Sequence, residues 1–183
     1  MITVAPFDGI VRDAEEGDMP RVRDIYAHYV LHSLATFEEA PPSLEEIVGR
    51  RSKLLEAGLP YLIAETAGGV AGYAYAGLYH VRTAYRHTIE DTVYVADGLR
   101  GRGVGSALLG ALISRCEAGP WRQMLAVVGD SGNTGSIALH RRFGFELVGV
   151  LKSVGFKFGR WVDVPLMQRS LGSGVEKNRE SPR

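Results

Sequence analysis

The sequence is poor in cysteine: Cys116 is the only one in 183 residues. A single thiol excludes a disulfide framework and a cysteine-rich zinc site within one chain. Four histidines, His28, His32, His80 and His87, show no spacing that predicts a metal centre. His28 and His32 stand one helical turn apart, but no Glu or Cys completes a zinc motif with them. We therefore expect no bound metal.

An excess of one charge and long apolar runs are also missing. The 21 basic and 21 acidic residues cancel, which argues against nucleic acid as a main partner, because phosphate binding depends on clustered excess Lys and Arg. No apolar run approaches the roughly 20 residues that span a bilayer, and residues 1–9 lack the basic and apolar regions of a secretory signal. We expect a cytoplasmic protein with no membrane partner.

What is present is the composition of an ordinary globular protein, with 45% hydrophobic and 23% charged residues. The chain is long enough to bury a sizeable core, and no repeat or low-complexity linker divides it. We predict a single domain over residues 10–171. A short extension, residues 1–9, precedes it, and a polar tail, residues 172–183, has a composition typical of disorder.

Hydrophobic periodicity predicts alternating strands and helices. Asp18 and Ser43 are candidate N-caps, Glu46 completes a capping box with Ser43, and Gly58 is placed to end the second helix. Strands are predicted over residues 10–12, 61–66, 70–78, 88–95, 124–128, 146–151 and 161–168, and further helices from about 104 and over 136–142. The order β-α-α-β-β-β-α-β-α-β-β predicts an α/β fold, a mixed sheet with helices on both sides.

The most informative segment is a glycine-rich turn between a predicted strand and a predicted helix. Gly101, Gly103 and Gly105 alternate strictly, and Arg100 and Arg102 add positive charge. Glycines let backbone N–H groups approach a ligand without a Cβ in the way. A helix N-terminus adds unpaired N–H groups and a positive dipole end. The turn therefore predicts a cradle for a pyrophosphate.

Three kinds of ligand use such a cradle. A P-loop nucleotide site needs a lysine before its Ser or Thr, and Gly105-Ser106 has none. A Rossmann site needs G-x-G-x-x-G, which strictly alternating glycines do not match. The spacing Arg100-x-x-Gly103-x-Gly105 resembles instead the acetyl-CoA pyrophosphate loop of the GNAT superfamily. The alternative is a tight turn that only connects the strand to the helix and binds no ligand.

The resemblance extends over nearly the whole folded region, and within the superfamily it is greatest to phosphinothricin and methionine sulfoximine N-acetyltransferases. Matching stretches are Thr36-Phe37-Glu38 and residues 84–95, 133–145 and 154–161. Residues 84–95 and 154–161 are fairly specific to that branch. The resemblance implies a GNAT-type fold with a mostly antiparallel sheet, acetyl-CoA as co-substrate without a metal, and a homodimer.

The same resemblance implies where acetyl-CoA binds. In GNAT proteins the strand before the loop splays from its neighbour and offers free N–H and C=O groups to the pantetheine arm. Asn133, a candidate N-cap, is also implied as a contact of that arm. The predicted acetyl-CoA-binding residues are Val93, Tyr94, Val95, Arg100, Gly101, Arg102, Gly103, Val104, Gly105, Ser106 and Asn133.

Two residues are the catalytic candidates. The resemblance places a catalytic glutamate at Glu90, but a carboxylate with a pKa near 4 is a poor base for an amine unless its site raises that pKa or a water relay helps. The alternative is a solvated strand residue. His140 stands where many GNAT proteins carry a tyrosine thought to protonate the leaving thiolate. It is a candidate acid, second base, positioning group or structural hydrogen-bonding residue.

The substrate side is predicted from Phe37, which resembles an aromatic wall of the pocket, and from a turn with two arginines. Arginine offers parallel donors to a phosphinate, sulfoximine or carboxylate, whereas an ordinary surface loop is the alternative. The residues of that turn are Arg82, Thr83, Ala84, Tyr85 and Arg86.

The implied activity is acetyl transfer to the primary amine of a small amino-acid analogue, such as phosphinothricin, methionine sulfoximine or methionine sulfone. Two alternatives remain open. One is a GNAT protein that acts on an aminoglycoside, a polyamine or a protein N-terminus, and the other is an acyl-CoA-binding module without turnover.

Overall fold

The computed structural model describes residues 6–172 and Gly174. Most of the predicted extension, residues 1–9, and of the predicted tail, residues 172–183, lies outside the described residues. The elements follow the predicted order. They are β1 (Ile10–Asp13), α1 (Met19–His32), α2 (Leu44–Glu56), β2 (Tyr61–Thr66), β3 (Gly69–Leu78), β4 (Thr88–Val95), α3 (Val104–Glu117), β5 (Gln123–Val127), α4 (Thr134–Arg142), β6 (Glu146–Lys157) and β7 (Arg160–Ser170).

The strands form one seven-stranded sheet in the order β1-β2-β3-β4-β5-β7-β6. Every neighbouring pair is antiparallel except β4 and β5, which are parallel. The prediction of a mixed, mostly antiparallel sheet is confirmed. The single parallel pair arises because α3 crosses over between β4 and β5, and only a crossover connection returns the chain in the same direction.

Alternation along the strands divides the core into two layers, one on each face of the sheet. Ile63 of β2 and Tyr73 of β3 belong to the layer under α1 and α2. Leu62 and Ala74, their sequence neighbours, belong to the layer under α3. Helices therefore cover both faces of the sheet, as predicted.

Strand β6 is longer than the predicted residues 146–151. Its register against β7 shifts between Leu151 and Gly155, and Ser153 lies there with φ of 52°. The Ser153 N–H donates to the Asp163 carboxylate over 2.9 Å, which compensates for the interrupted ladder. Pairing then resumes and continues to Lys157. Because the β-bulge breaks the alternation of apolar and polar residues, the sequence pattern does not predict the second half of the strand.

One predicted helix cap is wrong and two helix signals are confirmed. The Asp18 carboxylate does not cap α1, because it accepts two hydrogen bonds from the Arg12 guanidinium, over 2.7 and 2.8 Å. The Ser43 hydroxyl accepts from the Glu46 N–H over 3.1 Å, which is one half of the predicted capping box. Gly58 follows α2 with φ of 72°, the left-handed conformation that ends helices.

Within residues 6–172 the longest helices have 14 residues, and none is long and apolar enough to cross a bilayer. The same residues contain no group of three or more His, Cys, Asp or Glu side chains arranged to hold a metal ion.

Candidate active site

Strands β4 and β5 separate partway along β4. Their parallel pairing joins only Thr88, Ile89 and Glu90 to β5, whereas β4 stays paired with β3 as far as Val95. Beyond Glu90, the edge of β4 that faces β5 therefore has no strand beside it. This is the splay that the resemblance implies for binding an extended arm.

The register of β3 and β4 decides which main-chain groups face this opening. The Ala96 N–H donates to the Ala71 carbonyl over 2.8 Å. Since hydrogen-bonded pairs alternate along an antiparallel ladder, the N–H and C=O groups of Val93 and Val95 turn away from β3, into the opening. The Tyr29 hydroxyl already donates to the Val95 carbonyl over 2.8 Å.

Tyr94 differs from its two neighbours. It lies opposite Tyr73 in the register, so its main-chain groups belong to the ladder with β3. Its ring packs edge-on against Tyr26 and Tyr29, with centroids 5.3 and 4.7 Å away. Of the predicted acetyl-CoA residues on β4, Tyr94 therefore reaches the opening through its side chain.

A cavity of about 860 Å³ occupies the opening, between β4, the glycine-rich turn, the end of β5 and α4. Many of the predicted site residues line it, namely Phe37, Glu90, Val93, Tyr94, Val95, Arg100, Gly101, Gly103, Gly105, Ser106, Asn133 and His140. Arg102 is exposed outside the lining. The Val104 side chain is 3% exposed in the core under α3, so only its N–H is available to a ligand.

The glycine-rich turn leaves the start of α3 without a side-chain cap. Gly101 and Gly103 have φ of 77° and 80°, and Gly103 is the N-cap residue with no side chain to satisfy the first N–H groups. In contrast, the Asn133 side chain accepts from the Ser136 N–H over 3.2 Å at the start of α4, which confirms Asn133 as an N-cap. The free donors of α3 suit an anion such as a diphosphate.

Two cations flank this helix start. The Arg100 guanidinium lies 5.1 Å from the centroid of the Tyr29 ring. Arg142, near the end of α4, donates to the Ser106 hydroxyl over 3.2 Å and lines the cavity. Sequence reasoning missed Arg142, because only the packing of α4 beside the turn brings the two segments together.

Glu90 is a partly buried carboxylate in the wall of this cavity. Burial, and to a lesser extent the charge of Asp91, raises the pKa of Glu90 to about 7. A carboxylate that titrates there takes up a proton at neutral pH far more readily than a solvated one. The site therefore meets one condition for Glu90 to act as a base, a raised pKa.

The residue after Glu90 has a different environment. Asp91 points to the opposite face of β4, where its Oδ2 lies 3.0 Å from Nε2 of His140. The side chains of Asp91 and His140 are 2% and 6% exposed. The other ring nitrogen, Nδ1, lies 2.7 Å from the Ser136 carbonyl oxygen. Sequence reasoning missed Asp91, although a second acid directly after Glu90 on the same strand was a visible signal.

Burial acts to lower the pKa of His140, but the hydrogen bond and charge of Asp91 and the Ser136 carbonyl outweigh it and raise that pKa above its ordinary value. A carbonyl oxygen and a carboxylate both accept hydrogen bonds. Each ring nitrogen therefore has an acceptor within hydrogen-bond distance, an arrangement that favours the doubly protonated ring.

Phe37 lies on the loop between α1 and α2 and is 39% exposed at the cavity. Its ring covers Gly155 of β6, where an added Cβ would come within 2.4 Å of it. The loop is held by Lys157, which is 2% exposed and donates to the carbonyls of Ser33 and Thr36 over 2.9 and 2.8 Å. Phe37 is thus a wall residue rather than a core residue, and Lys157 is its support.

The predicted arginine turn lies elsewhere. Thr83–Tyr85 form a short 3-10 turn, and Arg82, Thr83, Ala84, Tyr85 and Arg86 are all exposed. None of the five lines the cavity in the described residues. The turn lies just before the first residue of β4, the strand that carries Glu90. The substrate contacts predicted for it would therefore have to come from outside the cavity wall.

Free main-chain donors for a diphosphate at one end, and a carboxylate with a near-neutral pKa at the other, suit the transfer of an acyl group from a CoA thioester to an amine. Chemistry of this kind defines an acyltransferase. Residues 11–166 match the model of the acetyltransferase (GNAT) domain, and the chain belongs to that family.

Relatives with known names agree. The chain is 57% identical to a phosphinothricin N-acetyltransferase of Alcaligenes faecalis, over 90% of this chain and 83% of that one. It is 41% identical to an L-methionine sulfoximine/L-methionine sulfone acetyltransferase of Pseudomonas aeruginosa, over 88% and 94%. A phosphinothricin acetyltransferase from Sinorhizobium meliloti, solved with AcCoA, superposes with a TM-score of 0.89 at 46% identity, covering 92% and 91% of the two chains.

Proposed function

We propose that the protein transfers the acetyl group of acetyl-CoA to the primary amine of a small amino-acid analogue of the phosphinothricin, methionine sulfoximine or methionine sulfone type. The observation that carries the proposal is the position of Glu90, a partly buried carboxylate with a pKa near 7 in the wall of a cavity that ends at the uncapped start of α3. The named relatives supply the substrate class.

In this proposal the main chain holds the coenzyme. The N–H groups at the start of α3 bind its diphosphate, and Arg100 and Arg142 neutralise charge beside them. The free edge of Val93 and Val95 pairs with the pantetheine arm in the manner of an added strand. Acetyl-CoA supplies an activated thioester, which this arrangement directs toward Glu90.

Glu90 acts as the base. A substrate amine enters as an ammonium ion and must lose a proton before its nitrogen can attack a carbonyl carbon. Burial keeps the pKa of Glu90 close to neutral pH. The N–H of Val93 or Val95 polarises the thioester carbonyl. Proximity of the amine to the thioester supplies much of the remaining rate.

Phe37 shapes the substrate end of the cavity, and Lys157 keeps its loop in place. We further propose that the exposed turn of residues 82–86 meets the acidic group of the substrate, with Arg82 and Arg86 as donors. Among the described residues the Arg86 guanidinium donates only to the Thr83 carbonyl, over 3.3 Å, a weak contact that a carboxylate or phosphinate can replace.

The remaining expectations complete the proposal: residues 10–171 act as one cytoplasmic domain without a metal, and two copies form a homodimer.

Support for the dimer comes from exposed apolar side chains on β6, an edge strand, and on its hairpin with β7. They are Val148, Val154, Phe156, Phe158 and Trp161, each at least 54% exposed. Light scattering should give twice the chain mass, and Phe156→Glu should reduce it; a monomeric wild type would contradict the dimer.

A CoA-release assay tests the activity directly. The panel should contain phosphinothricin, methionine sulfoximine, methionine sulfone, an aminoglycoside and a polyamine, each with acetyl-CoA, and Glu90→Gln as the matched control. We expect turnover with the three amino-acid analogues and its loss in the control. Turnover with the polycations alone would replace the proposed substrate class, and no turnover with any amine would favour a binding module.

A further inference from the structure

In the described residues, only one of the two oxygens of the Asp91 carboxylate has a hydrogen-bond partner. Oδ2 has its partner in His140, but Oδ1 has none among the described residues, and the side chain is 2% exposed. A buried carboxylate costs several kcal/mol of desolvation unless a cation compensates it. His140 is the only residue in hydrogen-bond contact with the Asp91 side chain within residues 6–172, so any cation that compensates this carboxylate must be that ring.

Within the described residues, no second cation contacts the Asp91 carboxylate. Glu90 projects from the other face of β4. Cys116 of α3 packs close enough that the Asp91 charge adds to burial, the larger cause, in raising the pKa of the thiol to about 12. Arg142 of α4 donates to the Ser106 hydroxyl, and Arg169 of β7 donates to the Phe143 carbonyl and the Glu117 carboxylate, so neither contacts Asp91. Asp91 and His140 thus pair only with each other as acid and base in the described part of the chain, and both line the cavity.

The helix favours the charged ring as well. His140 stands in the last turn of α4, where the dipole stabilises a cation. Its Nδ1 proton is directed to the Ser136 carbonyl, 2.7 Å away, and the Phe145 ring packs edge-on against it with centroids 5.1 Å apart. These contacts fix the plane of the ring as well as its charge.

We propose that Asp91 is a positioning residue for the transfer reaction, which holds His140 as a fixed imidazolium in the wall of the cavity. Its role in turnover rests on the proposed function. When the thioester C–S bond breaks, the electron pair goes to sulfur, and a fixed cation nearby stabilises the negative charge. Of the two protons that the ammonium loses, one leaves through Glu90 and the other ends on the thiolate. His140 therefore supplies charge, while both its N–H groups stay bound to Asp91 and Ser136.

The ring can be observed without any turnover. Side-chain ¹⁵N–¹H correlation spectra of the free protein report the proton on each histidine nitrogen, and His140→Gln assigns the signals. We expect both nitrogens of His140 to be protonated at pH 7. In Asp91→Asn the doubly protonated form should be lost at that pH, because burial, the largest cause, is then opposed only by the Ser136 carbonyl and the helix dipole. Asp97→Asn is the matched control, since it removes an acid 3.8 Å from Nε2 of the half-buried His28 and should leave His140 unchanged.

Kinetics complete the test. Asp91→Asn should lower kcat about tenfold, a change of about 1.4 kcal/mol in the barrier, with acetyl-CoA affinity within about twofold of wild type. A neutral ring in the wild-type protein overturns the proposal, whether or not Asp91→Asn folds, and so does an unchanged ring in a folded variant. A charged ring in a protein that acetylates no amine would refute the proposed function and leave the pairing of Asp91 with His140 intact.

Discussion

Glu90 and Asp91 are adjacent carboxylates on one strand, and they have opposite environments. Glu90 faces the layer under α1 and α2 and has no ion-pair partner among the described residues. Asp91 faces the α3 and α4 side and pairs with His140 over 3.0 Å. The alternation of a β-strand is enough to give two neighbouring acids these different surroundings.

The difference shows how one strand can carry two functions. A buried acid without a cation has a raised pKa and can serve as a base, whereas an acid hydrogen-bonded to a histidine ring orients that ring. The Asp91 charge also contributes to the raised pKa of Glu90. Substitutions at the site should therefore separate proton transfer, coenzyme binding and substrate positioning.

The largest expected effect is that of Glu90→Gln. The amide keeps the shape of the side chain but cannot take a proton, so kcat at pH 7.5 should fall by roughly 10²–10⁴. Acetyl-CoA affinity, measured by calorimetry, should change little because Glu90 lies at the other end of the cavity from the start of α3. Unchanged turnover would remove Glu90 as the base.

A smaller loss is expected from Gly103→Val, which leaves both acids in place. Gly103 has φ of 80°, a conformation that a β-branched residue adopts only with strain, and its main chain begins the helix that is proposed to bind the diphosphate. The dissociation constant of acetyl-CoA should rise by about tenfold or more. If calorimetry finds the wild-type affinity in the folded variant, the diphosphate binds elsewhere.

The sequence predicted the strand, the turn and the helix at this end of the site, because these features are local. A turn of alternating glycines, a following amphipathic helix and the order of the elements are all properties of neighbouring residues. The β4–β5 splay was reached only through the resemblance. The bulge at Ser153 was not predicted, because a partner strand, and not the sequence around it, lets β6 continue.

Long-range contacts explain the remaining omissions. Asp91 and His140 are 49 residues apart, and Lys157 binds carbonyls more than 120 residues away. In each contact, the sequence around one residue carries no signal of the other. The role of residues 82–86 stays a prediction, since the turn is exposed and an acidic substrate would have to meet it there.

The smallest expected effect is that of Lys157→Met. The variant leaves the Ser33 and Thr36 carbonyls without their donor, so the loop that carries Phe37 should become less ordered. We expect KM for the amino-acid substrate to rise about threefold to tenfold, or about 0.7–1.4 kcal/mol, while KM for acetyl-CoA stays the same.

Lys152→Met is the matched control for this variant. Lys152 lies on the same strand and is 74% exposed, where it pairs with Asp163. The Lys152→Met variant should keep both KM values, for the amino-acid substrate and for acetyl-CoA, at the wild-type level. Equal changes in the two KM values of Lys157→Met would show a general loss of structure instead of a loosened substrate wall.

The pH dependence of kcat/KM tests the central claim most directly. The base must be unprotonated to accept the proton of the amine, so activity should rise with pH through the pKa of Glu90, about 7. We predict an acid limb with its midpoint near pH 7 in the wild-type protein, and no such limb in the residual activity of Glu90→Gln. An acid limb near pH 4.5, or one near pH 7 that persists in Glu90→Gln, would contradict the account.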